Sequence, residues 1–202
     1  YQEGRLPQHT VYLDSPMAIR ANEIYMRHRE DFDKANSQAL TENGFHNAKD
    51  WLPILKLTPT PEESMAINKV TSGAIIVAGS GMCTGGRIIH HFKHNLWREN
   101  CHMIFTGFQA RGTTGRAIVD GAKTVRVFRE DIMVGLKVHT LGGFSAHAGQ
   151  TQLLKWASNF ENKPELHLIH GEVEKMKILQ DEFKQRLDWD VNIPELGDRV
   201  AL

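Results

Sequence analysis

Five apolar residues, Ala74 to Ala78, run directly into Gly79-Ser80-Gly81-Met82-Cys83-Thr84-Gly85-Gly86. A short, wholly apolar run bounded by glycine is the pattern of a strand buried on both faces, as in parallel sheets. Parallel neighbours cannot be joined by a tight hairpin, so such a strand commits the chain to crossovers over the sheet face. The following residues comply. Gly86 to about Leu96 reads as a helix, and Cys101 to Thr106 as the next strand. The order strand, loop, helix, strand means an α/β layer with right-handed crossovers.

The flanking segments extend this pattern. His9 to Leu13 reads as a strand, and Asp14 or Ser15 caps a helix with Pro16 in its first turn, running to about Phe32. Asn36 to Leu57 is mixed and polar, with Gly44 and Pro53 as breakers. Thr60-Pro61-Glu62-Glu63 starts another helix. From about Thr124 the texture changes. Thr124 to Phe128 and Ile132 to Thr140 are β-rich and joined by Arg129-Glu130-Asp131, a hairpin or meander. Ala148 to Phe160 reads as a helix, Glu165 to Ile169 as a strand, Val173 to Leu187 as a helix and Val191 to Ile193 as a last strand. We place the domain seam near Gly121, giving parts 1–120 and 121–202. Tyr1 and the residues after it read as the tail of an earlier helix, so a fragment of a longer protein is expected.

Total charge names no partner, because Lys+Arg and Asp+Glu both number 24. Its distribution is more informative. Between Thr84 and Arg126 stand Arg87, Lys93, Arg98, Arg111, Arg116, Lys123 and Arg126 against only Glu99 and Asp120, while the segment from Phe128 onward is net acidic. A basic middle points to a polyanion-facing surface on one part of the chain. Cys83 and Cys101 are the only cysteines and do not form a Cys-x-x-Cys pair. That usage fits a reducing cytoplasm. No apolar run approaches the ~18 residues that would span a membrane.

Two histidines stand out. Gly142-Gly143-Phe144-Ser145-Ala146-His147-Ala148 and Leu168-Ile169-His170-Gly171-Glu172 each place an imidazole after a strand-like run, among small residues. A helix-like segment separates them, enough chain to cross a sheet face and return. Two parallel strand ends would then aim both imidazoles at one site, as a metal-dependent hydrolase needs.

These motifs resemble motifs B and C of the β-CASP branch of the metallo-β-lactamase superfamily. Val11-Tyr12-Leu13-Asp14-Ser15-Pro16-Met17-Ala18, Gly79 to Arg87 and Gly107-Phe108-Gln109-Ala110-Arg111-Gly112-Thr113-Thr114-Gly115-Arg116 resemble further segments of its cap domain, in the family's order. The resemblance implies an α/β fold. A β-CASP cap, a parallel sheet with flanking helices, precedes the C-terminal part of a metallo-β-lactamase αββα domain. Pro194-Glu195-Leu196-Gly197-Asp198 resembles its closing RNA-metabolising motif. It further implies RNA processing on single-stranded RNA with two zinc ions in the full-length protein, His170 as a metal ligand, and His147 as the proton-handling group at the scissile phosphate. A homodimer is kept open.

The residues themselves leave alternatives. Ser145 either donates to a phosphate or caps a helix. Ser80, Gly81, Gly85 and Gly86 offer backbone N–H groups before a helix N-terminus, an anion site, and the same glycines suit a tight turn. The loop lacks the Gly-Lys-Ser/Thr ending of a nucleotide P-loop. Arg87 and Arg116 adjoin glycine turns and are phosphate candidates. His90, His91 and His94 are expected on a solvated or nucleic-acid-facing helix surface, and Glu172 at a helix cap. The family's principal metal motif, His-x-His-x-Asp-His, is absent from the chain, so the fragment is expected to be inactive alone. Two other readings remain: a non-catalytic RNA-binding or assembly module, and a metallohydrolase acting on a small ester or a DNA end.

Overall fold

The computed structural model describes residues 1, 3–7, 10–32, 47–144 and 147–200. Strand β1 (Thr10–Leu13) lies between β2 (Leu55–Leu57) and β3 (Ala74–Val77), and both pairings are parallel. The parallel α/β layer is therefore present, with β1 at its centre. Helix α1 (Pro16–Arg27) follows β1; Ser15 caps it by accepting from the Ala18 N–H, and Pro16 occupies the first turn. The short α2 (Ala48–Trp51) precedes β2. Helix α3 (Pro61–Ala66) begins with a capping box between Thr60 and Glu63. Helix α4 (Arg87–Asn95) follows β3 and the glycine loop. The residues 36–46 of the polar stretch, His9, Ser145 and Ala146 lie outside the described residues.

Beyond α4 the chain forms β4 (His102–Phe105), α5 (Thr114–Val119), β5 (Thr124–Val127), β6 (Glu130–Met133) and β7 (Lys137–Thr140). The hairpin is formed by β5 and β6, joined by Phe128 and Arg129, both at positive φ (49° and 67°) as a primed two-residue turn needs. The β-rich run 132–140 is not one strand, however. It breaks at Gly135, whose N–H donates to Leu96 O at 2.9 Å, as does that of Leu136 at 3.2 Å. These bonds satisfy the carbonyl at the end of α4 and turn the chain, so that β7 pairs in parallel with β4 instead. Cys83, Ile88, Phe92, Leu96, Phe105, Ile118, Val125 and Val127 close one core among these elements.

Two compact units result, Tyr1–Gly143 and Phe144–Leu202. The β4–β7 ladder keeps residues up to Thr140 in the first unit, so compactness divides the chain later than the seam drawn near Gly121. In the second unit, α6 (Gln150–Ala157) and α7 (Val173–Leu187) pack through Leu154, Ala157, Phe183, Trp189 and Val191. Trp189 stacks edge-on to Phe160 and Phe183 and donates its indole N–H to Pro164 O at 3.1 Å. The two expected short strands reduce to a single parallel bridge, His167 with Asn192. Among the described residues no helix is long and apolar enough to cross a membrane.

Gly135 tests the turn. A Cβ there would lie 2.4 Å from the Trp97 carbonyl oxygen, a backbone atom that cannot swing aside. Gly135→Ala should destabilise the first unit by about 1–3 kcal/mol, read as a lowered denaturation midpoint. Gly107→Ala, where a Cβ meets nothing within 4 Å, should leave it nearly unchanged.

Candidate functional site

The three parallel strands end together, and their carboxyl edge is the switch point where α/β sheets usually hold ligands. Here it is filled by the protein's own side chains. Asp14, at the end of β1, is fully buried. Its Oδ1 accepts from Thr58 Oγ1 and Arg87 Nη1, both at 2.7 Å; its Oδ2 accepts from Ser64 Oγ at 2.7 Å and pairs with His91 Nε2 at 2.6 Å. Arg87 also donates to the carbonyl of Thr58 and, at 2.8 Å, to that of Pro59. Burial alone pushes the Asp14 carboxyl up, but hydrogen bonds from Thr58, Ser64, His91 and Arg87 together outweigh it and hold the carboxyl below its ordinary range. The His91 Nδ1 has no partner among the described residues, so the arrangement fits a tautomer with the proton on Nε2, donated to Asp14.

His91 thus corrects one expectation. It is buried at 5 % exposure, not on the helix surface. His90 and His94 are exposed, and His90 packs against Phe128 with ring centroids 4.8 Å apart.

The glycine loop closes above this cluster. Gly86 sits at positive φ (69°) as the cap residue of α4, and a Cβ on it would lie 2.6 Å from Gly79 O. Only glycine permits that approach. Gly86 has no side chain to cap the first-turn amides of α4. Gly81 and Gly86 are exposed, while Ser80 and Gly85 are half-buried. Cys83, also at positive φ (54°), points into the core, and burial pushes its thiol up to about 11, so it is not a reactive nucleophile. Arg116 is on α5, where Thr113 caps the helix, and its Nε donates to both Asp120 oxygens at 2.8 Å.

His147 and His170 both belong to the second unit and both are exposed. Within the first unit β7 pairs with β4, and within the second the segment before His170 bridges to Asn192. His170 takes a left-handed backbone (φ 66°) at the end of that segment. Glu172 is the cap residue of α7. Of the described residues only His28, Glu30 and Asp31, all exposed, form a group of three metal-capable side chains, and His170 is not among them. Ser145 lies outside the described residues.

The chain belongs to the β-CASP family: the Beta-Casp domain model matches residues 1–118. A second model, a Zn-dependent metallo-hydrolase RNA specificity domain, matches residues 131–194. Ribonuclease TTHA0252 of Thermus thermophilus is 38 % identical over 204 residues, covering 100 % of this chain and 46 % of the ribonuclease. Transcription termination factor FttA of Methanococcus maripaludis is 37 % identical over 171 residues, covering 82 % of this chain and 26 % of the factor. FttA of Thermococcus kodakarensis is 29 % identical over 198 residues, covering 95 % and 30 %. The chain therefore spans less than half the length of these relatives.

Because the Asp14 carboxyl lies below its ordinary value in the folded chain, its contribution to stability is present above about pH 4, the unfolded value, and is lost as pH falls through the lower folded value. Asp14→Asn should cost about 3–5 kcal/mol at pH 7, the usual effect of removing one partner of a buried ion pair. The gap between wild type and variant should narrow below pH 4. Denaturant titrations from pH 7 to 3 measure both.

Proposed function

We propose that this chain is the C-terminal part of a zinc-dependent ribonuclease that hydrolyses RNA phosphodiester bonds during processing or decay. The match to the Thermus thermophilus ribonuclease over the whole chain carries this reading, and the RNA specificity domain supports it. By this reading residues 1–120 form the cap and 121–202 the returning part of the metallo-β-lactamase domain. Single-stranded RNA is the substrate, the protein works in the cytoplasm, and a homodimer is compatible with the reading.

The roles follow from side-chain chemistry. His170 would be one ligand to zinc, and a segment carrying His-x-His-x-Asp-His would supply the others. When bound, zinc supplies an activated water and neutralises phosphate charge. His147 would contact the scissile phosphate and pass a proton to the leaving oxygen, a task that suits an imidazole. Ser80, Gly81, Gly85 and Gly86 would present uncharged donors to a phosphate, with Ser145 as a further hydroxyl donor. Arg116 shares an exposed pair with Asp120. Such pairs contribute little, so its guanidinium can turn to RNA. Arg87 acts on RNA through the loop that it anchors, since Asp14, Thr58 and Pro59 already occupy it.

The relatives named as transcription termination factors favour a second reading, an RNA-binding module in a larger assembly. Intact upstream ligands and metal-dependent cleavage separate the two.

Four measurements test the proposal. The chain alone, incubated with labelled single-stranded RNA and zinc, should not cut; cleavage abolished by His170→Ala would show that it completes the site. In the full-length protein His170→Ala should lower zinc content. His147→Ala should keep zinc and RNA affinity yet slow single-turnover cleavage by about 10²–10⁴-fold. Equal zinc loss in both variants would make both histidines ligands. Arg116→Ala should reduce the salt dependence of RNA affinity by about one phosphate contact, with an unchanged slope assigning it to structure.

A further inference from the structure

Gln109 lies in the loop after β4 and is buried at 6 % exposure. Its Nε2 donates to Gly81 O at 2.8 Å, to Phe108 O at 3.0 Å and to Gly107 O at 3.3 Å. Its Oε1 has no partner among the described residues and lies over Gly115, where a Cβ would come within 1.8 Å of it. The same two loops meet again nearby: Gly115 N–H donates to Met82 O at 3.2 Å, and Ala110 N–H approaches Met82 Sδ at 3.2 Å. One carboxamide thus joins the loop after β4 to the middle of the glycine loop after β3.

Filling space does not account for this arrangement. An apolar side chain would fill the site without burying an unpartnered oxygen, whereas the amide nitrogen is surrounded by carbonyls from both loops. In a trans peptide the C=O and the next N–H point in opposite directions. Holding the Gly81, Gly107 and Phe108 carbonyls against the carboxamide turns the N–H groups of Met82, Phe108 and Gln109 away from it. Carbonyl oxygens repel phosphate and amide hydrogens attract it, so the clamp orients both loops as anion receptors.

We propose that Gln109 is a positioning residue that fixes the glycine loop for a phosphate of the RNA backbone. This rests on the reading of residues 80–86 as a phosphate site. It assigns Gln109 no direct contact with RNA; it acts through Gly81 and Met82.

The test uses Gln109→Met, which keeps the volume and removes the donor. Two quantities are measured on the full chain: amide hydrogen exchange of residues 81–87, and affinity for a fluorescein-labelled twelve-residue oligouridylate as a function of salt. With the thermal midpoint nearly unchanged, residues 81–87 should exchange faster. Affinity should fall roughly tenfold, the scale of a lost hydrogen-bonding group, and its salt slope should stay the same, because no cation is removed. A folded variant with wild-type affinity and protection overturns the proposal, as does a slope that falls like that of a lost arginine. Should Gln109→Met fail to fold, Gln109→Asn, which keeps the donor group one methylene short, is read in the same two ways. Failure of the wild type to bind the oligouridylate sinks the phosphate reading itself. The exchange data then still decide whether Gln109 orders the loop.

Discussion

The carboxylate of Asp14 joins what the strand order separates. Its donors come from the loop after β2, from α3 and from two successive turns of α4, while its own N–H donates to Val77 O at 2.8 Å at the end of β3. Among the described residues, this carboxylate is where α3, α4 and the three strand ends are tied to one point. Buried ion pairs seldom add net stability over apolar packing of the same volume, because desolvation offsets attraction. Their effect is to exclude alternatives. Only one placement of α4 delivers both Arg87 and His91 to the same carboxylate, and that placement sets where the glycine loop begins and ends.

The same contacts fill the crevice at the strand ends with the protein's own side chains. Arg87 enters it and finds a carboxylate and two carbonyls, leaving little of the guanidinium to meet an outside anion. On the proposed reading, an anion would instead be received by the backbone amides around Gly81 and Gly86. A basic residue beside a glycine loop looks like a phosphate ligand in sequence. In the fold Arg87 is an anchor, held by Asp14, Thr58 and Pro59.

Much of the architecture was legible because it rests on local rules. Ser15 with Pro16, and Thr60 with Glu63, cap helices where their spacing requires. Ala74 to Val77 is a parallel strand as its unbroken apolar run implies, and Val173–Leu187 is helical as read. The errors fall where one element answers to a distant one. His91 was grouped with His90 and His94 by residue type, although the 3.6-residue period places it in the stripe of Ile88, Phe92 and Leu96, all buried. The break at Gly135 is not legible in sequence, because its cause is the carbonyl of Leu96 at the end of α4, with β4, α5, β5 and β6 between the two residues. Helix α5 hid within a run read as a turn; Thr113 capping Arg116 was its only local mark.

The two halves of the proposed chemistry differ in how they are held. The loops after β3 and β4 are rigid by construction: a Gly86–Gly79 backbone contact, the Asp14–Arg87 anchor and the Gln109 clamp each restrain them from a different side. His147 and His170 instead are exposed residues of a small unit whose core is built on Phe183, Trp189 and Leu154, with Leu168 of the second motif packed against it. An imidazole meant to hold a metal or move a proton needs a fixed orientation, normally from a hydrogen bond to its second ring nitrogen. A positive φ at His170 fixes the backbone direction but not the ring. The glycine loop is therefore restrained by contacts within the first unit. On the proposed reading, His170 would take its ring orientation from the groups that complete a metal centre, whereas the glycine loop is held by Asp14, Arg87 and Gln109.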